Sequence, residues 1–400
     1  MDKKTILAID VGTGMVKVFS GRQQADGSLQ LLGSGAAPTA GYTRGTVTDV
    51  NALAHSIRQA VDCVAMAADN QAADSVYLGI SGSMLVSQNS VGSVALASPG
   101  TVIPADVERA CQAAVFAAAK NDHEVLHVFA VKESLVRAGA ALEVETHIVT
   151  APKAILQSLT CALTEVGICL NGIVSNVVTA AESMKSELPG QPANFIYMDI
   201  GAGTADFAVY VDRRLCLSAS LPLGGDYITS DLMQGLSVSR AHAEEIKRYY
   251  SRLSSDLRNQ GVILDCNDYG TTDKHIPFDF LYDIVESRVD EIVTLVYDYL
   301  SPLLKNYLSQ PGQVFDGIYL TGGCGSMPSV AACVARVFQI HTEVIKPSRL
   351  AVEYAHPANA VCYGIINYGA RKLPCESATS RSAWNVFVRK VKKILKFDRR

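Results

Sequence analysis

The stretch that most constrains this chain is Met198-Asp199-Ile200-Gly201-Ala202-Gly203-Thr204-Ala205-Asp206. Apolar residues 195–198 lead into it and apolar residues 207–211 follow. That pattern predicts a strand, a tight turn and a second strand. Glycine lets backbone N–H groups approach a bulky anion, and successive N–H groups in such a turn make an anion-binding concavity. A carboxylate there would repel phosphate unless a metal ion stood between them, so the stretch points to Mg²⁺ with phosphate. Taken alone it also fits a plain β-hairpin with a glycine-rich turn.

A second copy favours the phosphate reading. Near the N-terminus, Ile6-Leu7-Ala8-Ile9-Asp10-Val11-Gly12-Thr13-Gly14 runs into Val16-Lys17-Val18-Phe19. A third glycine turn, Thr321-Gly322-Gly323-Cys324-Gly325-Ser326, follows the apolar run at 318–320. Two Asp-bearing hairpins suggest internal duplication. Facing each other, they would clamp the phosphates of a nucleotide, with the third turn at its base and sugar. This arrangement resembles the actin/Hsp70/hexokinase ATPase superfamily. The resemblance implies an α/β actin-like fold of two duplicated lobes around a nucleotide cleft. On it, Asp10 and Asp199 are the catalytic carboxylates and face the metal through water. Gly12, Thr13, Gly201, Gly203, Thr204 and Asp206 line the phosphates. Lys17 either approaches phosphate or points to solvent, and Gly322 and Gly323 form the adenosine turn.

Composition fits such a fold. The chain has 400 residues, 48% apolar and 18% charged, enough for two domains or more and unlike a disordered chain. A formal net charge of −4 argues against a nucleic-acid partner for the body. No apolar run reaches the length of a membrane span, and no signal-peptide pattern follows Met1-Asp2-Lys3-Lys4. The ten cysteines form no Cys-x-x-Cys pair, which fits free thiols in a reducing cytoplasm. The histidines show no metal-ligand spacing.

Helical periodicity is expected at 53–66, 104–120, 153–165, 173–185, 284–307, 329–337 and 357–368, with Asp49 or Asn51 capping the first helix and Ser239 another. Short strands are expected at 84–86 and 92–97. The character shifts at 83–153, which reads as an inserted small α+β domain. The expected division is a first lobe core at 1–82, continued at 154–193 and 357–371, and a second at 194–224, continued at 311–356. Residues 225–310 form an outer subdomain of the second lobe and 372–383 a linker.

The last stretch, 384–397, reads as an amphipathic helix. At 100° per residue Trp384, Phe387, Val388, Val391, Ile394 and Leu395 share one face, and Arg389, Lys390, Lys392, Lys393 and Lys396 the other. Residues 381–400 carry eight Lys/Arg against one Asp, a formal +7 in a chain of −4, so the remainder carries −11. An apolar stripe with the single Trp opposite a basic face describes an interfacial helix on anionic lipid, each basic residue adding about 1 kcal/mol. A packed terminal helix or a partner-binding tail is the competing reading.

Several further stretches resemble the bacterial cell-division family FtsA: Arg44-Gly45-Thr46-Val47-Thr48-Asp49, Leu221-Pro222-Leu223-Gly224-Gly225-Asp226-Tyr227-Ile228-Thr229-Ser230-Asp231, the helix around Ala243-Glu244-Glu245-Ile246-Lys247, and Ile284-Val285-Glu286-Ser287-Arg288-Val289-Asp290. The resemblance covers nearly the whole chain. It implies an ATP- and Mg²⁺-binding protein with at most slow ATPase activity. Such a protein self-assembles into filaments and tethers FtsZ, by its C-terminal peptide, to the cytoplasmic face of the inner membrane at the septum. Other divisome membrane proteins are implied partners. Glu244 and Lys247 match positions at the adenosine, and Arg288 a helix that contacts the FtsZ peptide.

There are departures. The first hairpin is two residues longer than is usual in FtsA and is similar in length to the pilus-assembly family PilM, the alternative reading. The stretch at 129–144 lacks the Gly-Ile-x-x-Pro-x-Gly segment of most FtsA proteins. Asn176 stands where some ATPase relatives carry Glu, which would slow hydrolysis. A phosphotransferase or chaperone-type ATPase would need a substrate cleft or domain that the sequence does not display.

Overall fold

The computed structural model describes residues 4–24, 26, 28–67, 73–265, 275–307 and 314–372. Residues 373–400, with the expected linker and the amphipathic helix from Trp384 to Leu395 and its basic face, lie outside the described residues.

The chain opens with an antiparallel meander, β1 (Ile6–Val11), β2 (Met15–Gln23) and β3 (Leu29–Pro38). Two short strands, β4 (Tyr42–Thr43) and β5 (Thr46–Val47), precede helix α1 (Val50–Ala67). Asp49 Oδ1 accepts from the N–H groups of Asn51 and Ala52 at 2.9 and 3.0 Å, capping α1. Next come β6 (Ser75–Ile80), β7 (Val86–Ala95), α2 (Pro104–Ala118), β8 (His123–Val136), β9 (Ala141–Pro152) and α3 (Lys153–Glu165). β10 (Gly172–Ser175) and α4 (Asn176–Met184) end the first half.

A second meander then forms from β11 (Phe195–Ile200), β12 (Ala205–Val211) and β13 (Arg214–Leu221). It is followed by α5 (Gly225–Leu236), α6 (Arg240–Tyr250), the small ribbon β14 (Ile263–Asp265) and β15 (His275–Pro277), and the long helix α7 (Phe278–Leu304). Ser239 caps α6, its Oγ accepting from His242 N–H. β16 (Gly317–Thr321), α8 (Pro328–Phe338), β17 (Thr342–Val344) and α9 (Ala360–Lys372) complete the chain.

The two large sheets have one topology. The first runs β3-β2-β1-β6-β10 and the second β13-β12-β11-β16-β17. In each, an antiparallel meander is extended by two parallel strands from its first member. The duplication expected from the two hairpins is therefore built into the strand order. Residues of the β7-β9-β8 sheet and α2 form a separate apolar cluster around Val115, Val125, Leu142 and Val144. Gly92 lets α2 lie close on β7, where a Cβ would stand 1.9 Å from the Ala110 carbonyl oxygen.

Three local expectations are corrected. Residues 173–185 are not one helix: Ile173 and Val174 pair in parallel with Leu78 and Gly79, and the helix begins at Asn176. β-branched neighbours favour the extended pairing, which fills the sheet edge. The two short strands expected at 84–97 are one, β7, paired throughout with β9. Helix α7 starts six residues before Ile284 because Phe278 and Leu281 continue its buried stripe.

Each lobe has its own apolar core. A third cluster joins Ile6 and Phe19 of the first sheet to Phe195, Tyr197, Tyr210 and Tyr319 of the second. Phe195 and Tyr210 stack there with ring centroids 4.5 Å apart. Fully buried aromatics each contribute on the order of 2 kcal/mol, so this cluster is the firm connection between the lobes.

A polar contact ties the β7-β9-β8 sheet to β13. The buried His147 of β9 hydrogen-bonds through Nδ1 to Asn89 Oδ1 at 2.7 Å and through Nε2 to Ser218 Oγ at 2.9 Å. Burial pushes its imidazole down to about 3. Its folded-state pKa lies below its unfolded value near 6.5, so the contribution is complete above pH 6.5 and is lost as pH falls towards 3. From this group the wild type should lose about 1.4 kcal/mol per pH unit below 6.5. His147→Gln should remove that slope, as read from urea unfolding between pH 7.5 and 5. Asp10 and Asp206 titrate in both proteins and cancel in the difference. Parallel pH profiles for the two proteins would show that His147 is not held neutral.

Candidate functional site

The two Asp-bearing turns meet. Each closes with the same backbone bond, Gly12 N–H to Met15 carbonyl at 3.1 Å and Gly201 N–H to Thr204 carbonyl at 2.9 Å. Each presents an Asp at the end of its first strand: Asp10 faces Lys17 across the β1–β2 ladder and Asp199 faces Asp206 across β11–β12. The turns touch so closely that a Cβ on Gly203 would stand 2.3 Å from Thr13 Oγ1. Between them lies a cavity of about 190 Å³. Its lining includes Asp10, Gly12, Thr13, Lys17, Asp199, Gly201, Gly203, Thr204, Asp206, Gly322 and Gly323. The structure thus brings eleven of the sequence-predicted site residues to one place.

Second-layer bonds hold the carboxylates. Asp199 Oδ2 accepts from Thr321 Oγ1 at 2.7 Å, and the Tyr197 hydroxyl lies 2.6 Å from the same Thr321 oxygen. Thr204 Oγ1 donates to Asp206 Oδ2 at 2.8 Å, while Asp206 Oδ1 is enclosed without a hydrogen-bond partner. Asn176 donates from Nδ2 to Asp10 Oδ1 at 2.8 Å, and its own Oδ1 is enclosed and unpartnered. Lys17 Nζ donates to the Ala358 carbonyl at 2.5 Å.

Burial raises the carboxylates, Asp10 to about 6 and Asp206 to about 7, with the Asp199 charge adding to both; burial also raises Asp199. The Lys17 ammonium opposes this at Asp10 and Asp199. A divalent cation is the partner that would keep such a group of acids ionised. Among the described residues no cluster of three or more His, Cys, Asp or Glu forms a closed metal cage. Mg²⁺ keeps most of its waters and binds through one or two carboxylates and phosphate oxygens. The acids present are compatible with such an ion, and Asp10 and Asp199 are the residues that would hold it.

Other expected residues lie elsewhere. Glu244 and Lys247 do not line the cavity. Lys247 Nζ donates to the Gly225 carbonyl (3.0 Å), Thr229 Oγ1 (2.7 Å) and Glu244 Oε1 (2.8 Å), behind the start of α5. Arg288 makes a two-pronged pair with Asp231, at 2.5 and 2.9 Å, and a third bond to Glu291 at 2.6 Å. Tyr42, Ser81, Ala358 and Val361 line the cavity and were not singled out from the sequence. Thr321 was quoted in the third turn without a role; its place directly before the glycine pair was the available signal.

Comparison with known proteins agrees with this architecture. Residues 196–364 match the family model described as cell division protein FtsA. The cell division protein FtsA of Pseudomonas aeruginosa is 29% identical over 397 residues, covering 92% of this chain and 90% of its own. Those of Buchnera aphidicola and Escherichia coli K12 are each 26% identical over 92% of this chain and 91% of theirs. Among solved structures, the PilM-PilN type IV pilus biogenesis complex superposes with TM-score 0.66 at 17% identity over 91% of this chain and 98% of its own. Spiroplasma citri MreB 5 bound to AMPPNP superposes with TM-score 0.50 at 13% identity over 99% of both. The fold is actin-like, and over more than nine-tenths of its length the chain is similar to cell division protein FtsA.

Proposed function

We propose that this chain binds ATP with Mg²⁺ between its two hairpins, self-assembles, and tethers FtsZ filaments to the cytoplasmic membrane at the septum. The observation that carries the reading is the meeting of two duplicated turns over three buried carboxylates. Gly12, Thr13, Gly201, Gly203 and Thr204 offer backbone N–H groups and hydroxyls to phosphate oxygens. Lys17, held by the Ala358 carbonyl, brings a positive charge to the same cavity. Asp10 and Asp199 hold the hydrated ion, whose bound charge neutralises both carboxylates and phosphates. Asn176 beside Asp10 is an amide and takes no proton, which supports at most slow turnover. Glu244 and Lys247 reach the nucleotide only through the start of α5, and the adenosine lies over Gly322 and Gly323.

The outer part of the second lobe takes the FtsZ peptide. A groove of about 640 Å³ between α6, α7 and α8 is lined by Tyr250, Arg258, Tyr282, Glu286, Asp290 and Arg336. Arg336 is itself paired with Asp290, but both side chains of that pair are more than half exposed, whereas the Arg288–Asp231 pair is about one-quarter exposed, so Arg336 is the arginine that a peptide carboxylate reaches more readily. The tail anchors each subunit weakly, and many tails along a filament add by avidity. The PilM-like alternative rests on the long first hairpin and the 0.66 superposition, and predicts neither lipid nor FtsZ binding.

Three measurements check this. The full chain, with ATP, should sediment with anionic liposomes and then recruit an FtsZ C-terminal peptide, while a chain ending at Ser382 stays in the supernatant. If neither sediments, the tail is not an anchor. Asp199→Asn should weaken Mg²⁺-dependent ATP binding by at least about tenfold, and should raise the unfolding midpoint of the nucleotide-free protein because one buried acid is gone. An unchanged affinity would remove Asp199 from the site. Arg336→Ala should weaken peptide binding about fivefold or more, a typical loss for an exposed charged contact at a partially buried site. An equal loss in Arg288→Ala, with folding intact, would move the peptide onto α5 and α7.

A further inference from the structure

Arg44 occupies a backbone conformation that side chains rarely adopt, with φ +49°. Its N–H donates to Thr13 Oγ1 at 3.0 Å, so it is fastened to the first phosphate turn. Its guanidinium carbon stands 4.5 Å from the ring centroid of Tyr227, and its Nε is enclosed with no hydrogen-bond partner. With Nε withdrawn from water and no acceptor gained there, the ring face is the contact that offsets its enclosure.

Tyr227 belongs to the other lobe, in the first turn of α5. That turn is fastened to the second phosphate turn: Gly225 N–H donates to the Gly201 carbonyl at 3.0 Å and Asp226 N–H to the Ala202 carbonyl at 2.7 Å. The Arg44–Tyr227 contact therefore bridges the two phosphate turns from outside the cavity. A second arginine stands over the same ring: Arg288 of α7, at 5.6 Å, itself locked to Asp231 of α5. α7 supplies Tyr282, Glu286 and Asp290 to the groove on the outer side of the second lobe.

We propose that Arg44 and Tyr227 form a latch across the cleft, closing the two phosphate turns on their ligand and transmitting that closure through Arg288 to helix α7. Arg44 is a positioning residue, since it acts through Thr13 and Tyr227 rather than on the cavity. The proposal rests on the nucleotide reading only for the ligand; the latch itself is a contact of the ligand-free chain. A ligand that touches both turns favours the latched arrangement, and the latched arrangement in turn favours the ligand.

The test is a double-mutant cycle in the full-length chain with Arg44→Ala, Tyr227→Leu and the pair, plus Arg44→Lys, which keeps a cation for the ring. Two quantities are measured: the equilibrium constant of urea unfolding without ligand, and the affinity for a fluorescent ATP analogue with Mg²⁺. Each single change should lower both by about fivefold or more, Tyr227→Leu the most because it also removes the ring under Arg288, the pair no further than Tyr227→Leu, and Arg44→Lys by less than Arg44→Ala. Amide exchange along α7 should slow on adding Mg²⁺ and ATP in the wild type, and not in Arg44→Ala. Losses that multiply in the pair, in the ligand-free unfolding cycle, would overturn the latch. Exchange along α7 that responds equally in wild type and Arg44→Ala would overturn the transmission. A wild type that binds no nucleotide while the unfolding cycle remains coupled would instead overturn the nucleotide reading and leave the latch standing.

Discussion

Like charge held out of water governs this structure. Asp10, Asp199 and Asp206 are buried within one cavity, and the ladders that place them leave no choice of side: the strand ends at Asp10 and Asp199 point both carboxyls inward. Desolvation and repulsion from Asp199 disfavour three ionised acids there, opposed by the Lys17 charge at Asp10 and Asp199 and by hydrogen bonds from Asn176 to Asp10 and from Thr204 to Asp206. Such an arrangement costs stability in the free chain, and the cation and phosphate of the proposed function would offset that cost. Folding prepares the site, and its ligand completes the electrostatics.

The rest of the architecture serves the closeness of the two turns. Duplicated sheets deliver the same hairpin from two sides, and the aromatic cluster around Phe195, Tyr197 and Tyr210 joins the sheets at the back. At the front the lobes meet through narrow contacts: Thr13 against Gly203, and Arg44 over Tyr227. Firm packing behind and a few polar contacts ahead are the ingredients of a hinge. Cleft opening then breaks few contacts while leaving the aromatic cluster intact.

Local chemistry was legible in the sequence, and long-range pairing was not. The hairpins declared themselves because glycine spacing and alternating apolar residues are local signals, and their repetition implied the shared topology. Ile173 and Val174 were read as helical because a four-residue strand next to a helix has no period of its own; only pairing with β6 shows it. Glu244 and Lys247 look like a surface pair at helical spacing, and nothing local reveals that Lys247 turns inward to Gly225 and Thr229. Arg288 was matched to a partner contact, and its bond to Asp231, 57 residues away, could not be read from the sequence. The Arg44–Tyr227 contact spans the two lobes and leaves no trace in either neighbourhood.

One sheet edge of the second lobe is covered by side chains, and the arrangement has a physical logic. Strand β13 ends its sheet and carries outward carbonyls that need donors. No further strand supplies them. Side chains do: Asn89 Nδ2 and the Tyr307 hydroxyl donate to the Cys216 carbonyl at 3.1 and 3.2 Å, Arg214 of the edge itself reaches the Val131 carbonyl at 3.0 Å, and Ser87 Oγ donates to the Ser218 carbonyl. His147 adds its bond to Ser218 Oγ. An edge covered in this way is closed to strand pairing by a second chain, yet the small β7-β9-β8 sheet is fixed to the second lobe by side-chain bonds rather than by a backbone ladder. Side-chain bonds of this kind each contribute about 1 kcal/mol net, and several together hold a definite position. They can also be exchanged one at a time. The buried imidazole of His147, bonded to Asn89 on one side and Ser218 on the other, stands at the centre of that contact.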